Sequence, residues 1–182
     1  FQNGTAVTVG GVTYTPAGAG TLTGQPDANV TAFLKAQMGE LELGLKRYDA
    51  AQPLLAEALS LQRPHYPEGL TTASLLHQRG LLYSETDRNA EAIADYLDAL
   101  AIRRKRLGPR HPILIRSYGA LGTAYANAKM HAKALPRMES ALELSREVHG
   151  NAHDATARRL SNLSISLMAM GKPLESERTS AE

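Results

Sequence analysis

Cysteine is missing altogether from the 182 residues. That excludes disulfide staples, thiolate zinc sites and a thiol nucleophile, and fits either a reducing or an oxidising compartment. An excess of charge of either sign is missing too: 20 lysines and arginines face 18 aspartates and glutamates. No global field therefore draws the chain to nucleic acid or an anionic membrane, and any charge preference is local. No apolar run approaches the roughly 20 residues that cross a bilayer, and no basic-then-apolar pattern opens the chain. A soluble protein without membrane insertion is expected, cytoplasmic or periplasmic/secreted alike.

The signatures of catalysis are also lacking. Gly171-Lys172 has neither the upstream glycine nor the following Ser or Thr of a phosphate loop, and there is no HExxH and no G-x-S-x-G. Gly18 to Gly24 matches a dinucleotide glycine loop only loosely, its last glycine one residue late. His149 and His153 straddle a predicted helix break at Gly150, so they are not expected to share a face as a zinc pair does. Asp95 with Asp98, and Glu139 with Glu143, fall one helical turn apart on what is expected to be a solvated face, where nothing raises a carboxyl pKa for acid catalysis. No catalytic residue, metal or cofactor is expected, and the chain is read as not an enzyme. Arg103-Arg104-Lys105-Arg106 is the densest charge run. It is read as a helix end, where cations favour the dipole, because no aromatic residues interleave it to stack on bases; no nucleic acid is expected as a partner. Three matches to the N-glycosylation sequon, at Asn3, Asn29 and Asn162, are too short to assign anything.

Apolar residues make up 43% of the chain, enough for one continuous core or a short stack of repeats. Phe1-Gln2 reads as a processing or tag remnant, and both ends read as those of a piece of something larger. Residues 3 to 27 are built from Gly, Thr, Ala, Val and Pro, with Asp27 as their one acid, whereas the remainder is rich in Leu, Ala, Arg and Glu. A boundary is placed there: an irregular or β-prone leader over 1–27 and a helical domain over 28–182. Within the leader, Thr5 to Val9 and Val12 to Thr15 flank Gly10-Gly11 as two β-prone runs around a turn.

Internal periodicity carries the fold. Gly39, Gly80, Gly122 and Ser164 recur at intervals of 41, 42 and 42, and twelve residues after each stands Ala51, Ala92, Ala134 or Ser176. A small residue on one helix facing a small residue on the next lets two antiparallel helices approach closely. Ala58-Leu59, Ala99-Leu100 and Ala141-Leu142 repeat at core positions of the second helix, with Leu61, Ile102 and Leu144 beyond them. Gly108-Pro109-Arg110-His111-Pro112 and Gly150-Asn151-Ala152-His153-Asp154 occupy matching junctions, with glycine ending one helix and His111 and His153 capping or packing the turn. These signals predict helix pairs at 29–44 with 47–62, 69–85 with 89–107, 112–128 with 131–148, and 153–170 with a short helix after 172.

The pattern Gly80, Tyr83, Ala92, Ala99-Leu100 and its copy Gly122, Tyr125, Ala134, Ala141-Leu142 resembles the tetratricopeptide repeat (TPR). A period of about 42 rather than the usual 34 or so, with Leu107-Gly108, His111-Pro112 and the early prolines Pro53 and Pro136, resembles the long repeats of kinesin light chains. The resemblance implies an all-α fold, a right-handed superhelix of antiparallel helix pairs with about 3.5 to 4 repeats, at about 28–66, 67–109, 110–151 and 152–182. The asparagines that such light chains often carry on the first helix are replaced by Gly119 and Ser161, so the resemblance carries the fold and not the light chains' cargo specificity.

In that register the first helices line a concave groove. Its predicted face comprises Ser74, His77, Leu81, Ser84 and Glu85, then Arg116, Gly119, Thr123, Ala126 and Asn127, then Arg158, Ser161, Ile165, Met168 and Ala169. Polar and small residues dominate this set, unlike a buried face. Of these, Ser74, His77, Ser84, Glu85, Arg116, Thr123, Asn127, Arg158 and Ser161 are the expected peptide contacts. Arg116 and Arg158 recur one repeat apart, suited to bridging an acidic segment or terminal carboxylate. The expected function is that of a non-catalytic module binding a protein or extended peptide, acidic in the simplest case, as scaffold or recognition part of a larger assembly. The alternative is a repeat domain regulating an enzyme or transcription factor on the same polypeptide.

Overall fold

The computed structural model describes residues 7–9, 12–17, 21–23 and 28–171. Among them are seven helices: α1 (Ala28–Gly44), α2 (Tyr48–Gln62), α3 (Leu70–Glu85), α4 (Asn89–Leu107), α5 (Ile113–Asn127), α6 (His131–His149) and α7 (Asp154–Ala169). Each lies within a residue or so of the span expected from the repeat. The helix expected after residue 172, with Ser176, lies outside the described residues, as do the Gly10-Gly11 turn and much of the Gly18 to Gly24 loop. Ahead of the helices, β1 (Val7–Val9), β2 (Val12–Ala17) and β3 (Thr21–Thr23) pair antiparallel in that order. Among the described residues no helix is long and apolar enough to cross a membrane.

The chain divides into two compact units, residues 1–65 and 66–182. In the first, α1 pairs with α2 around Ala36, Leu43, Ala51, Leu55 and Ala58. In the second, α3 pairs with α4 and α5 with α6; α4 also packs on α5, and α6 on α7.

Two kinds of turn recur. Within each pair the chain reverses through a left-handed residue, Lys46 (φ 58°), Asp87 (φ 58°) or Lys129 (φ 60°). The amide that follows reaches five residues back: Arg47 to Glu42, Arg88 to Tyr83 and Met130 to Tyr125, at 2.8 to 2.9 Å. This is a Schellman closure made without glycine, satisfying carbonyls that the helix end would otherwise leave open. Between pairs, Gly108 (φ 84°, ψ 167°) and Gly150 (φ 81°, ψ 170°) end α4 and α6 in a region that a Cβ all but forbids. Three residues beyond each glycine a histidine starts the next helix. His111 Nδ1 accepts from the Ile113 amide at 3.2 Å, and His153 Nδ1 from the Ala155 amide at 3.1 Å. The two histidines thus cap, as their equivalent positions implied. The His149 and His153 rings stack at 4.6 Å across the turn, His149 ending α6 and His153 capping α7, so the pair meets without sharing a helical face.

The repeated glycines hold each pair together, by a contact one turn away from the one expected. A Cβ on Gly39 would lie 2.8 Å from Leu55 Cδ2, one on Gly80 2.8 Å from Tyr96 Cε1, and one on Gly122 2.7 Å from Met138 Cγ. Each glycine therefore receives the large side chain sixteen residues on. The alanines Ala51, Ala92 and Ala134, though fully buried, stand one turn before it.

Several polar side chains sit in this core. Asp95 was expected on a solvated face, yet only 6% of it is exposed; it accepts two bonds from Arg79, at 2.7 Å from Nε and 2.8 Å from Nη2. That bidentate geometry satisfies both charges and raises the Arg79 pKa, chiefly through the hydrogen bond. Glu139, Glu143 and Asp98 are exposed as expected. Arg103 is buried and donates to Ser117 Oγ at 2.8 Å; burial and then the Arg116 charge lower its pKa to about 10. The other residues of its run, Arg104, Lys105 and Arg106, close the last turn of α4, and Lys105 Nζ meets both Glu68 oxygens at 2.6 Å. His77 is 4% exposed, its ring 5.2 Å from that of Tyr96 and its Nδ1 without a hydrogen-bond partner among the described residues. Burial first, then the charges of Arg103 and Arg116, depress its pKa to about 3.

Two stability measurements follow. Gly80→Ala sets about 1–3 kcal/mol of overpacking against Tyr96 against about 1 kcal/mol of helix propensity, so urea unfolding is expected to show a net loss. Gly44→Ala, where nothing lies within 4 Å of the added Cβ, is the control that is expected to be neutral or stabilising. His77, neutral in the folded state but protonated when unfolded below about pH 6.5, makes the unfolded state bind more protons there. Stability contributed by the neutral ring is full above the unfolded value and is lost as pH falls towards 3. Between pH 7 and 5 this amounts to about 2 kcal/mol, a fall that His77→Phe is expected to reduce in the same unfolding series.

Candidate functional site

In the second unit the first helices of successive repeats, α3, α5 and α7, are neighbours, so their outward positions share one face. Glycine and alanine on the inner sides keep each helix close to its partner, leaving Ser, Thr, Asn and Arg outward. A cavity of about 350 Å³ opens on this face, lined by Leu81, Ser84, Glu85, Tyr96, Ala120, Thr123 and Asn127. Five of those seven were singled out as groove positions from the repeat register. Tyr96 and Ala120 were not. Tyr96 belongs to a second helix and enters the cavity because Gly80 leaves space beside its ring. Its buried hydroxyl has a raised pKa, mainly by desolvation. Thr123 Oγ1 donates to the Gly119 carbonyl at 3.0 Å.

The other expected contacts divide into three groups. Arg116, Arg158 and Ser161 are exposed, with Ile165 and Met168 also open on α7. Neither Arg116 nor Arg158 forms an ion pair among the described residues. Ser74 is half-buried, and His77 is interior: the helical period placed it on the outward side, but the ring turns in against Tyr96. Gly119 is covered as well. The Arg159 guanidinium fills the place where a side chain at 119 would project, which is a physical reason for glycine at this point of the repeat. Arg159 Nε is buried without a hydrogen-bond partner among the described residues, and burial together with Arg158 lowers the pKa of its guanidinium. Arg103, Arg116, Arg158 and Arg159 thus concentrate positive charge along α4, α5 and α7. Sequence periodicity could not single out Arg103 or Arg159, since their placement depends on the helix across from them.

A second cavity, of about 250 Å³, lies by the junction of α4 and α5, lined by Pro109, Arg110, Tyr118, Ser140, Glu143, Leu144 and Glu147. Its rim is already occupied by an ion pair, Arg110 with Glu147 at 3.6 Å. Among the described residues no group of three or more His, Asp or Glu is placed to hold a metal ion.

The tetratricopeptide repeat family profile matches residues 29–105 and 71–144. Among curated proteins, a clustered mitochondria protein homolog from Ajellomyces capsulatus is 27% identical over 141 residues, covering 75% of this chain. The chain spans 11% of that protein's length. Among solved structures, BtubC (BKLC) from P. vanneervenii superposes with a TM-score of 0.78 at 18% identity, over 85% of this chain and 62% of that one. A putative kinesin light chain from Podosopora anserina with nearly identical TPR-like repeats gives 0.71 at 17% identity, over 82% and 72%. The first TPR of Spaghetti (RPAP3), bound to the HSP90 peptide SRMEEVD, gives 0.57 at 20%, over 79% and 98%. TPR repeats are generally protein-interaction modules on a fold that is generally non-catalytic. With its helix pairs, its glycine-mediated contacts and a profile match over more than half of its length, the chain belongs to the tetratricopeptide repeat family and has the fold of the kinesin-light-chain-like long repeats.

Proposed function

We propose that this chain binds an extended, acidic peptide segment of another protein along the face made by α3, α5 and α7, and does so without catalysis. The observation that carries this reading is the pairing of charge and cavity. Arg116 and Arg158 have no ion pair among the described residues, and they share a face with a cavity that offers an aromatic and aliphatic floor and a rim of hydroxyl and amide groups with one carboxylate, Glu85. A guanidinium in that state forms two parallel bonds with an incoming carboxylate at little rearrangement cost. Buried Arg103 and half-buried Arg159 add to the field without occupying the surface. An extended segment suits the spacing, since successive first helices offer equivalent positions one repeat apart. The peptide held by the RPAP3 repeat, SRMEEVD, is itself acidic, which supports the same chemistry here. In this reading Ser84, Thr123 and Asn127 bond the peptide backbone, Leu81 and Tyr96 receive an apolar side chain, and Arg116, Arg158 and Ser161 take the carboxylates.

Fluorescence anisotropy with a panel of labelled acidic peptides, SRMEEVD among them, tests this. Arg116→Ala and Arg158→Ala are each expected to weaken binding roughly tenfold, about 1.4 kcal/mol, with unchanged helical circular dichroism, and affinity is expected to fall with added salt. Equal affinity of both variants and the wild type for every bound peptide would place recognition elsewhere.

A further inference from the structure

Helix α1, with Leu45 in the turn that follows it, presents a row of apolar side chains to solvent. Leu34 is 52% exposed, Met38 55%, Leu41 61% and Leu45 52%, with Phe33 beside them at 58%. Scattered exposed leucines are ordinary, but a contiguous row is not. Their spacing of four, three and four residues makes a heptad seam, the pattern that seats one helix against another through knobs and holes. The same stripe is covered in a later repeat. Two repeats on, the counterparts of Leu34, Met38 and Leu41 are Ser117, Leu121 and Ala124, all buried. There a neighbouring helix covers the stripe: Arg103 of α4 reaches Ser117, and Leu121 and Ala124 share a core with Tyr96 and Leu100 of α4. On α1 the same stripe carries larger apolar groups and stands open.

We propose that the α1 seam joins two copies of this chain, with their α1 helices antiparallel about a two-fold axis between Met38 and Leu41. The spacing is its own mirror image, so in this register Leu34 meets Leu45 and Met38 meets Leu41 in both directions, as an isologous contact requires. The flanking charges do not clash. Phe33 falls opposite Lys46, Gln37 opposite Glu42 and Lys35 opposite Gly44, so no carboxylate opposes a carboxylate. Lys35 and Glu42 already hold Glu57 and Arg47 within their own chain. Burying these five side chains on both copies removes on the order of 1,000 Å² from water, the lower bound of a specific interface. The contact is made by a helix of the first unit.

Sedimentation velocity decides the matter. At about 100 µM the wild-type chain is expected to sediment at twice its own mass, and the Leu34→Glu/Leu41→Glu variant at the single mass. Both substituted residues are solvent-exposed in the single chain, so the variant is expected to keep its helical circular dichroism. A single-mass wild type at that concentration overturns the proposal, as does a folded double variant that still doubles. Because the sequence has no cysteine, register is read directly by oxidation. A mixture of the Leu34→Cys and Leu45→Cys chains is expected to cross-link, and each alone is not; cross-linking of Leu34→Cys alone to the same yield overturns the antiparallel arrangement.

Discussion

The architecture depends on the seating of one bulky side chain in the gap left by a glycine, repeated along the chain. Gly39 receives Leu55, Gly80 receives Tyr96, and Gly122 receives Met138, all at distances that leave no room for a methyl group. This contact fixes the separation of the paired helices and their rotation about their own axes. Once both are fixed, the outward side of each first helix is determined. The same offset of sixteen residues that joins Gly80 to Tyr96 joins Arg79 to Asp95, so the buried ion pair is a neighbour of the glycine contact and follows from the same register.

Charge and shape on the first-helix face are consequences of that register. Tyr96 is held in the gap beside Gly80 and forms part of a cavity floor that extends to Thr123 and Asn127. Arg159 is drawn over Gly119, and Arg103 is drawn in to Ser117. The result is a surface whose exposed arginines, Arg116 and Arg158, stand in front of partly buried ones. Desolvation makes buried cations costly, and each lowers the pKa of its neighbour in the manner seen for Arg103 and His77. An acidic ligand offsets that accumulated repulsion, which gives an electrostatic reason for the preference proposed here.

Much of this was legible in the sequence, and the reason is that backbone requirements leave residue-specific marks. Gly108 and Gly150 adopt conformations available to few other residues, and His111 and His153 cap the helices that follow; helix ends were accordingly predicted to within a residue or so. Groove positions Leu81, Ser84, Glu85, Thr123 and Asn127 follow from the helical period and do line one cavity. What the period could not resolve is which polar residue near the edge of a face turns inward. His77, Asp95 and Arg103 are all polar residues at such edges, and each is buried by a partner on another helix, namely Tyr96, Arg79 and Ser117. The glycines themselves were correctly identified as sites of close approach, while their partners were placed one turn early, because small-to-small matching is not the only way to pack closely: a small residue also seats a large one.

The central claim is that recognition takes place on the outward face of the first helices. It is tested most directly by amide chemical-shift mapping of the isotopically labelled chain during titration with the tightest peptide from the acidic panel. The account predicts changes concentrated at Leu81, Ser84, Arg116, Thr123 and Asn127 and continuing to Arg158 and Ser161. Changes confined to the second cavity, at Arg110, Ser140 and Glu147, would contradict it.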